Sequence, residues 1–402
     1  MRIGLIAWER FSYGGVSRTI SSLVNELSKN DDIELKILCL KEEQFFQNVY
    51  NIDTKKVEFT FMELSNVQKA RREIANRLFE KIVKTGSDRL LYKFPYIKYA
   101  SSYLKRISSW INKHEFDIVM FSSGFEDSIQ LAIIKDEISP EVKLIAWSHA
   151  SFKDYFREDG GLYSEGIRRL WSYYYKRFDA LVVLSDADLQ FCKHYLDIDG
   201  TRIYNPNSFL PANRSALNTK RFLYVGALSH NKGFDIAIDA FVEFSKVNRE
   251  WNLDIYGEGL GRKYIEDTIK VHNLKDRIHL YNYTPNVEQV YCEHDILIFP
   301  SRYEGFGIVQ IEAASCGLPV IAAELPITKE LIGTYHYGEI FKWNDSKSLA
   351  SIMHKLITVD LKPYSDNGIT AAKDFDISLI AKDWLSLFNS LTNGKKSKMA
   401  DA

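Results

Sequence analysis

Cysteine is scarce in this 402-residue chain: four cysteines stand at Cys39, Cys192, Cys292 and Cys316. None belongs to a C-x-x-C pair, so a structural zinc site is not expected. So few thiols in so long a chain suit a reducing compartment. Long apolar runs are also missing, and none approaches the roughly 18 residues of a membrane span. The apolar run at Met1–Trp8 meets Glu9 too early to read as a signal peptide. Neither charge sign dominates: 52 Lys+Arg stand against 53 Asp+Glu, a net charge of −1. Binding of polyanions by bulk charge is therefore excluded. With 46% hydrophobic and 26% charged residues, disorder of the whole chain is excluded as well. The expectation is a cytoplasmic protein.

What is present is length and rhythm. A chain of this size predicts two domains, perhaps three. Short apolar runs at 2–8, 34–40, 117–122, 143–148 and 180–184 read as buried strands. Amphipathic stretches at 16–28, 67–83, 99–112, 162–177 and 187–195 read as helices. That alternation predicts a parallel sheet covered on both faces. It breaks at residues 205–213, which are rich in turn residues, and resumes at Arg221 with strands near 252–257, 277–280, 295–300 and 318–322. The predicted fold class is α/β, with two doubly wound Rossmann-like domains at 1–205 and 206–375. A last helix at 376–392 and a disordered polar tail at 393–402 follow. Ligands of such sheets bind beyond the carboxyl ends of the strands, so a cleft between the domains is the expected site.

One segment stands out: Pro300-Ser-Arg-Tyr-Glu304-Gly305-Phe306-Gly307-Ile308-Val-Gln-Ile-Glu312. A strand ends at Pro300, a loop carries a carboxylate and two glycines, and a helix begins near Gly307. The first amides of that helix suit a phosphate. Carboxylates at Glu304 and Glu312 suit two hydroxyl-bearing groups flanking a diphosphate. On the residues alone, a turn glutamate and a solvated helix glutamate remain an equally good reading.

The segment resembles the E-x7-E motif of retaining glycosyltransferases of family GT4, also called group 1, whose fold is GT-B. Further matches follow in the family's order and span nearly the whole chain. Gly14-Gly15-Val-Ser-Arg18 resembles its first glycine loop. The segment from Tyr224 through Gly226 and Lys232 to Phe241 resembles its strand, loop and helix for the donor diphosphate. Asp254-Ile-Tyr-Gly257-Glu-Gly259 resembles its next strand and glycine turn. The resemblance implies transfer of a hexosyl or N-acetylhexosaminyl group from a nucleotide-diphosphate sugar, most readily a UDP-sugar. The implied acceptor is a cell-surface polysaccharide or lipid-linked glycan, and the resemblance also implies that the last helix, at 376–392, crosses back to the N-terminal domain.

In this reading Lys232 neutralises the leaving diphosphate. Glu304 holds the hexose, Glu312 the ribose, and His149, at the end of the strand at 143–148, meets the sugar. Tyr283 falls where the family binds the base. The family's usual basic residue after the glycine of this strand is Ala227 here, and Arg18, Arg302 or His230 are candidates to replace it. The strings Asp186-Ala-Asp188 and Asp197-Ile-Asp199 read as a helix cap and a turn, so no metal and no cofactor are expected.

Charge is locally uneven. Between Lys69 and Lys113, 12 Lys/Arg stand against 3 Asp/Glu, interleaved with aromatics. A solvated helix face is one reading. An anionic membrane surface is the other, placing the protein peripherally at the inner face of the plasma membrane. No nucleic-acid motif accompanies the patch. Two alternatives to a transferase remain: a non-catalytic GT-B subunit, and a sugar-nucleotide epimerase needing no acceptor.

Overall fold

The computed structural model describes residues 1–7, 14–40, 52–63, 65–70, 74, 96–123, 125–156 and 165–400. The chain divides into two compact units, one of Met1–Pro206 with Ile377–Ala402, the other of Asn207–Asp376.

The first unit is built on strands β1 (Arg2–Ile6), β2 (Glu34–Leu40), β3 (Val57–Met62), β4 (Ile118–Ser123), β5 (Lys143–Ser148), β6 (Ala180–Val183) and β7 (Thr201–Arg202). They pair in the order β3-β2-β1-β4-β5-β6-β7, every pair parallel. The second unit holds β8 (Arg221–Val225), β9 (Asn252–Tyr256), β10 (Ile278–Tyr281), β11 (Ile296–Phe299), β12 (Val320–Ala323) and β13 (Gly338–Phe341). Their order is β10-β9-β8-β11-β12-β13, again all parallel. The two central runs Ile296–Phe299 and Val320–Ala323 are buried throughout, as strands covered on both faces must be. Strand order reverses beside β1 in one sheet and beside β8 in the other. Each reversal opens a crevice at the carboxyl ends of the strands.

The strands that periodicity did not predict are β3, β7 and β13. All lie at sheet edges, where only part of each strand is buried, so the continuous apolar signal is absent. Of the predicted helix at 67–83, residues 67–70 and Ile74 are described, and they are helical. Its remainder, and most of the basic stretch at 69–113, lie outside the described residues.

The last helix runs from Ile377 to Ala400. This corrects the expectation of a disordered tail from 393: the segment holds no proline, and its lysines and alanine are good helix formers. Ile380, Ala381, Trp384 and Phe388 join Ile3, Ile20 and Trp147 in the first unit's core. The Trp384 ring meets Trp147 edge-on at 4.8 Å. In the second unit, Phe222 is surrounded by Phe244 and Trp251 at 5.2 and 4.7 Å.

Candidate functional site

Two loops meet where the second sheet reverses. After β8 the chain passes Gly226 and Ala227, makes a short 3-10 turn at His230–Lys232, and enters the helix Phe234–Ser245. After β11 it runs from Pro300 to Gly307 and enters the helix Ile308–Ser315. Gly233 lies between, with φ +66°, and a Cβ there would collide with the Pro300 carbonyl oxygen. Only glycine lets the two loops approach so closely. The Arg302 amide donates to the Asn231 carbonyl at 2.8 Å, sealing the contact.

That approach brings Lys232 and Glu304 together. Lys232 Nζ donates to Glu304 Oε1 at 2.5 Å, and Ser301 Oγ donates to the same oxygen at 2.8 Å. The Glu304 side chain is 8% exposed and that of Lys232 39%, so the cation reaches solvent while the carboxylate is held beneath. Directly after the loop, Gly307 caps the helix Ile308–Ser315 with φ 73°, and no side chain caps its amides. Gly305, Phe306 and Ile308 are buried beside it; Phe306 packs its ring against Phe375 at 5.7 Å. At the neighbouring strand end, the Gly226 amide donates to Tyr256 at 3.0 Å. Gly257 sits against the Gly226 carbonyl, where a Cβ would not fit. Tyr283, in the loop after β10, is 39% exposed.

Glu312 departs from the solvated-helix reading of it. It is fully buried, not a solvated helix position, and Tyr291 donates to its Oε2 at 2.8 Å. A ribose does not reach this carboxylate unless its cover shifts.

Arg302 is not the replacement cation that its position suggested. It is 7% exposed. Its guanidinium forks onto both oxygens of Asp235 at 2.8 and 2.6 Å, and donates to the His230 carbonyl at 2.7 Å and to Asn344 Oδ1 at 2.8 Å. Burial raises the Asp235 pKa, but the guanidinium outweighs this and holds it below the ordinary carboxylate range. Ala227 and His230 are exposed.

In the first unit, Gly14 caps the helix Gly15–Leu27 after β1. His149 follows β5; its Nε2 lies 2.7 Å from Ser122 Oγ, and its ring is 4.4 Å from Trp147. The helix starting at Asp186 is capped by Ser185, not by Asp186 as the sequence suggested. Asp188, one turn in, is buried and accepts from Ser185, Ser151 and the Lys153 amide. Asp197 and Asp199 pair with Lys176 and Lys193 at the surface. Among the described residues no three His, Cys, Asp or Glu side chains are grouped to hold a metal ion. Also among them, no helix is long and apolar enough to cross a membrane.

The structure thus gathers Lys232, Glu304 and residues 305–308 at one crevice, with Gly226 and Gly257 at the adjoining strand ends. Sequence reasoning missed Ser301, Asp235 and Tyr291. Their partners are distant in the chain or their residue types are unremarkable at those positions.

Comparison with known proteins bears on this crevice. The family model described as Glycosyl transferases group 1 matches residues 208–374, and that of Glycosyltransferase Family 4 matches residues 13–206. An uncharacterized glycosyltransferase of Haemophilus influenzae is 26% identical, over 70% of this chain and 79% of that protein. The amylovoran biosynthesis glycosyltransferase AmsD of Erwinia amylovora is 23% identical, over 76% and 83%. Among solved structures, sucrose-phosphate synthase of Thermosynechococcus elongatus superposes with a TM-score of 0.75 at 14% identity, over 98% of this chain and 99% of that one. Anabaena HepE in complex with UDP-glucose gives 0.73 at 17% identity, over 97% and 100%. Both likenesses are of fold, and the fold is GT-B.

Proposed function

This chain belongs to the group 1, family 4 glycosyltransferases, and from that premise we propose that it is a retaining, metal-independent transferase using a UDP-sugar. The observation that carries the reading is the Lys232–Glu304 pair at the β8/β11 crevice. A cation there is already complemented by a carboxylate, and a diphosphate displaces that carboxylate. Lys232 then turns to the phosphates, and Glu304 is released to accept hydroxyls of the hexose. The uncapped amides after Gly307 face the developing charge of the departing diphosphate.

In the proposed step the acceptor oxygen bonds to the anomeric carbon on the face from which the phosphate oxygen leaves. The departing diphosphate takes the acceptor's proton. His149 is assigned to a sugar hydroxyl, the Gly14–Gly15 loop to the diphosphate or sugar, and Tyr283 to the base. Glu312 meets the ribose only when Tyr291 yields. Complexes of HepE with UDP and UDP-glucose, and of Staphylococcus aureus TarM with UDP, support a uridine nucleotide. Relatives named for amylovoran, lipopolysaccharide-core and O-antigen biosynthesis support a surface polysaccharide or lipid-linked glycan as acceptor. The basic stretch at 69–113 is assigned to the anionic inner face of the membrane, which places the enzyme in the cytoplasm.

The test is calorimetric and thermal-shift titration of UDP, GDP, ADP and their common sugars, with and without EDTA. Saturable, EDTA-insensitive binding of UDP and one UDP-sugar is expected. Lys232→Ala and Glu304→Gln should each lower transfer by about 10²–10³-fold, the size of losing one charge-stabilising donor, with cooperative unfolding retained. Full transfer by Lys232→Ala overturns the assignment.

A further inference from the structure

Arg302 makes more directional contacts than a surface cation needs. It sits two residues before Glu304, and its amide and side chain both reach back to the loop that carries Lys232. The amide bonds Asn231, one residue before Lys232; the guanidinium bonds His230, two residues before it, and Asp235, three residues after. On its other side Nε reaches Asn344, and the Arg302 carbonyl accepts from Trp343 Nε1 at 3.0 Å. One buried side chain therefore ties three segments together: the β8 turn, the β11 loop and the turn after β13. Two charges make up the centre of this knot, and both are consumed within it. Four of the five guanidinium N–H groups are engaged, Nε by Asn344, both NH groups by Asp235 and one of them also by His230, so the planar fork faces Asp235 and not a donor phosphate.

We propose that Arg302 is a positioning residue for glycosyl transfer, fixing with Asp235 the spacing between the Lys232 turn and the Glu304 loop. The fork sets that spacing because it is planar and bidentate; a lysine, as a point charge, does not reproduce it. Misplacement of a reacting group by about 1 Å costs on the order of 10²-fold in rate, so the knot matters even though Arg302 never meets the donor. This inference rests on the donor-site reading given above.

The two are separated by titrating UDP, GDP and ADP into wild type, Lys232→Ala, Arg302→Lys, Arg302→Met and Asp235→Asn, alongside melting curves. Binding of none of the three nucleotides by the wild type overturns the donor-site reading and this inference with it. If wild type binds, Arg302→Lys is expected to fold with a lowered melting temperature, because its charge still faces Asp235 while the fork and the His230 and Asn344 bonds are lost, and to bind about tenfold more weakly. Arg302→Met and Asp235→Asn should weaken binding to a similar extent. In the Lys232→Ala background the Arg302→Lys change should add less than twofold, since it acts through Lys232. A merely structural role predicts the reverse: binding by Arg302→Lys equal to wild type, or a full additional tenfold loss in the Lys232→Ala background. Either result overturns the proposal. If Arg302→Met does not fold, Asp235→Asn, which keeps volume and removes the charge, carries the comparison.

Discussion

Tyr291 and Glu312 form a buried pair whose cost of separation is readable from their chemistry. The carboxylate is inaccessible and one oxygen takes the Tyr291 hydroxyl. Removing the hydroxyl by Tyr291→Phe leaves that oxygen with one donor fewer in a site that water does not enter. The expected loss is about 1–3 kcal/mol, read as a lower midpoint in urea with an unchanged slope. The same variant loosens what covers Glu312, so if the ribose contact is made there, nucleotide affinity changes along with stability. At this scale the sequence disclosed residue types and spacing. Glu304, Lys232 and Gly307 drew attention through the family resemblance, since on the residues alone a turn glutamate reads equally well; the meeting of Lys232 with Glu304 is what the structure adds. The fate of Arg302 was not. Its partner Asp235 is 67 positions away, and only the reversal of strand order beside β8 brings the two together.

Strands and helices were legible where they are buried on both faces. The runs at 34–40 and 143–148 match β2 and β5 residue for residue, because apolar-rich stretches of only six or seven residues suit a strand and are short for a helix. The edge strands β3, β7 and β13 were not, since solvent on one side erases the signal. β9 shows what an element can hide inside an apolar run. Its Asp254 is fully buried in the strand and is met by Arg221 at 2.9 Å, His279 at 2.7 Å and His294 at 3.0 Å. Burial pushes its pKa up, but these partners outweigh burial and hold it below the usual value. Asp235 is depressed in the same direction by Arg302. A carboxylate whose folded pKa lies below its unfolded value of about 3.9 stabilises the fold above that pH, and loses the contribution as pH falls through the folded value. The second unit should therefore melt at progressively lower temperature below about pH 4. Asp254→Asn should flatten that dependence while lowering stability at neutral pH. A melting curve equally acid-sensitive in the variant rules Asp254 out as its source.

The two units differ in how the chain composes them. The second is one continuous stretch, Asn207–Asp376, with its own sheet and aromatic core. The first needs residues from both ends: without the final helix, Trp147 and Ile20 lose Trp384, Ile380 and Phe388. Expressed alone, residues 207–376 should fold cooperatively and retain nucleotide binding. Residues 1–206 alone should lack a sharp melting transition, because deleting a buried tryptophan alone costs about 3–5 kcal/mol and here several core residues go at once. Circular dichroism melts of the two fragments check this. A sharp transition in residues 1–206 would show that the final helix is dispensable. The strand rhythm revealed both units in the sequence; that the final helix crosses to the first came only from the family resemblance, because the packing of Trp384 on Trp147 that holds it there is not contained in periodicity.

That discontinuity also dictates a timetable. Synthesis runs from the amino terminus, and domains fold as their last residues emerge. Residues 1–206 leave the ribosome first, yet their core stays open until the helix beginning at Ile377 arrives. The second unit, though begun later, has all its residues sooner. The nascent chain thus completes its later-made unit first, and for that interval the Trp147 face is an apolar surface awaiting its cover. Translation that stops before Trp384 would release a finished second unit joined to an unfinished first, with that face exposed to chaperones and proteases.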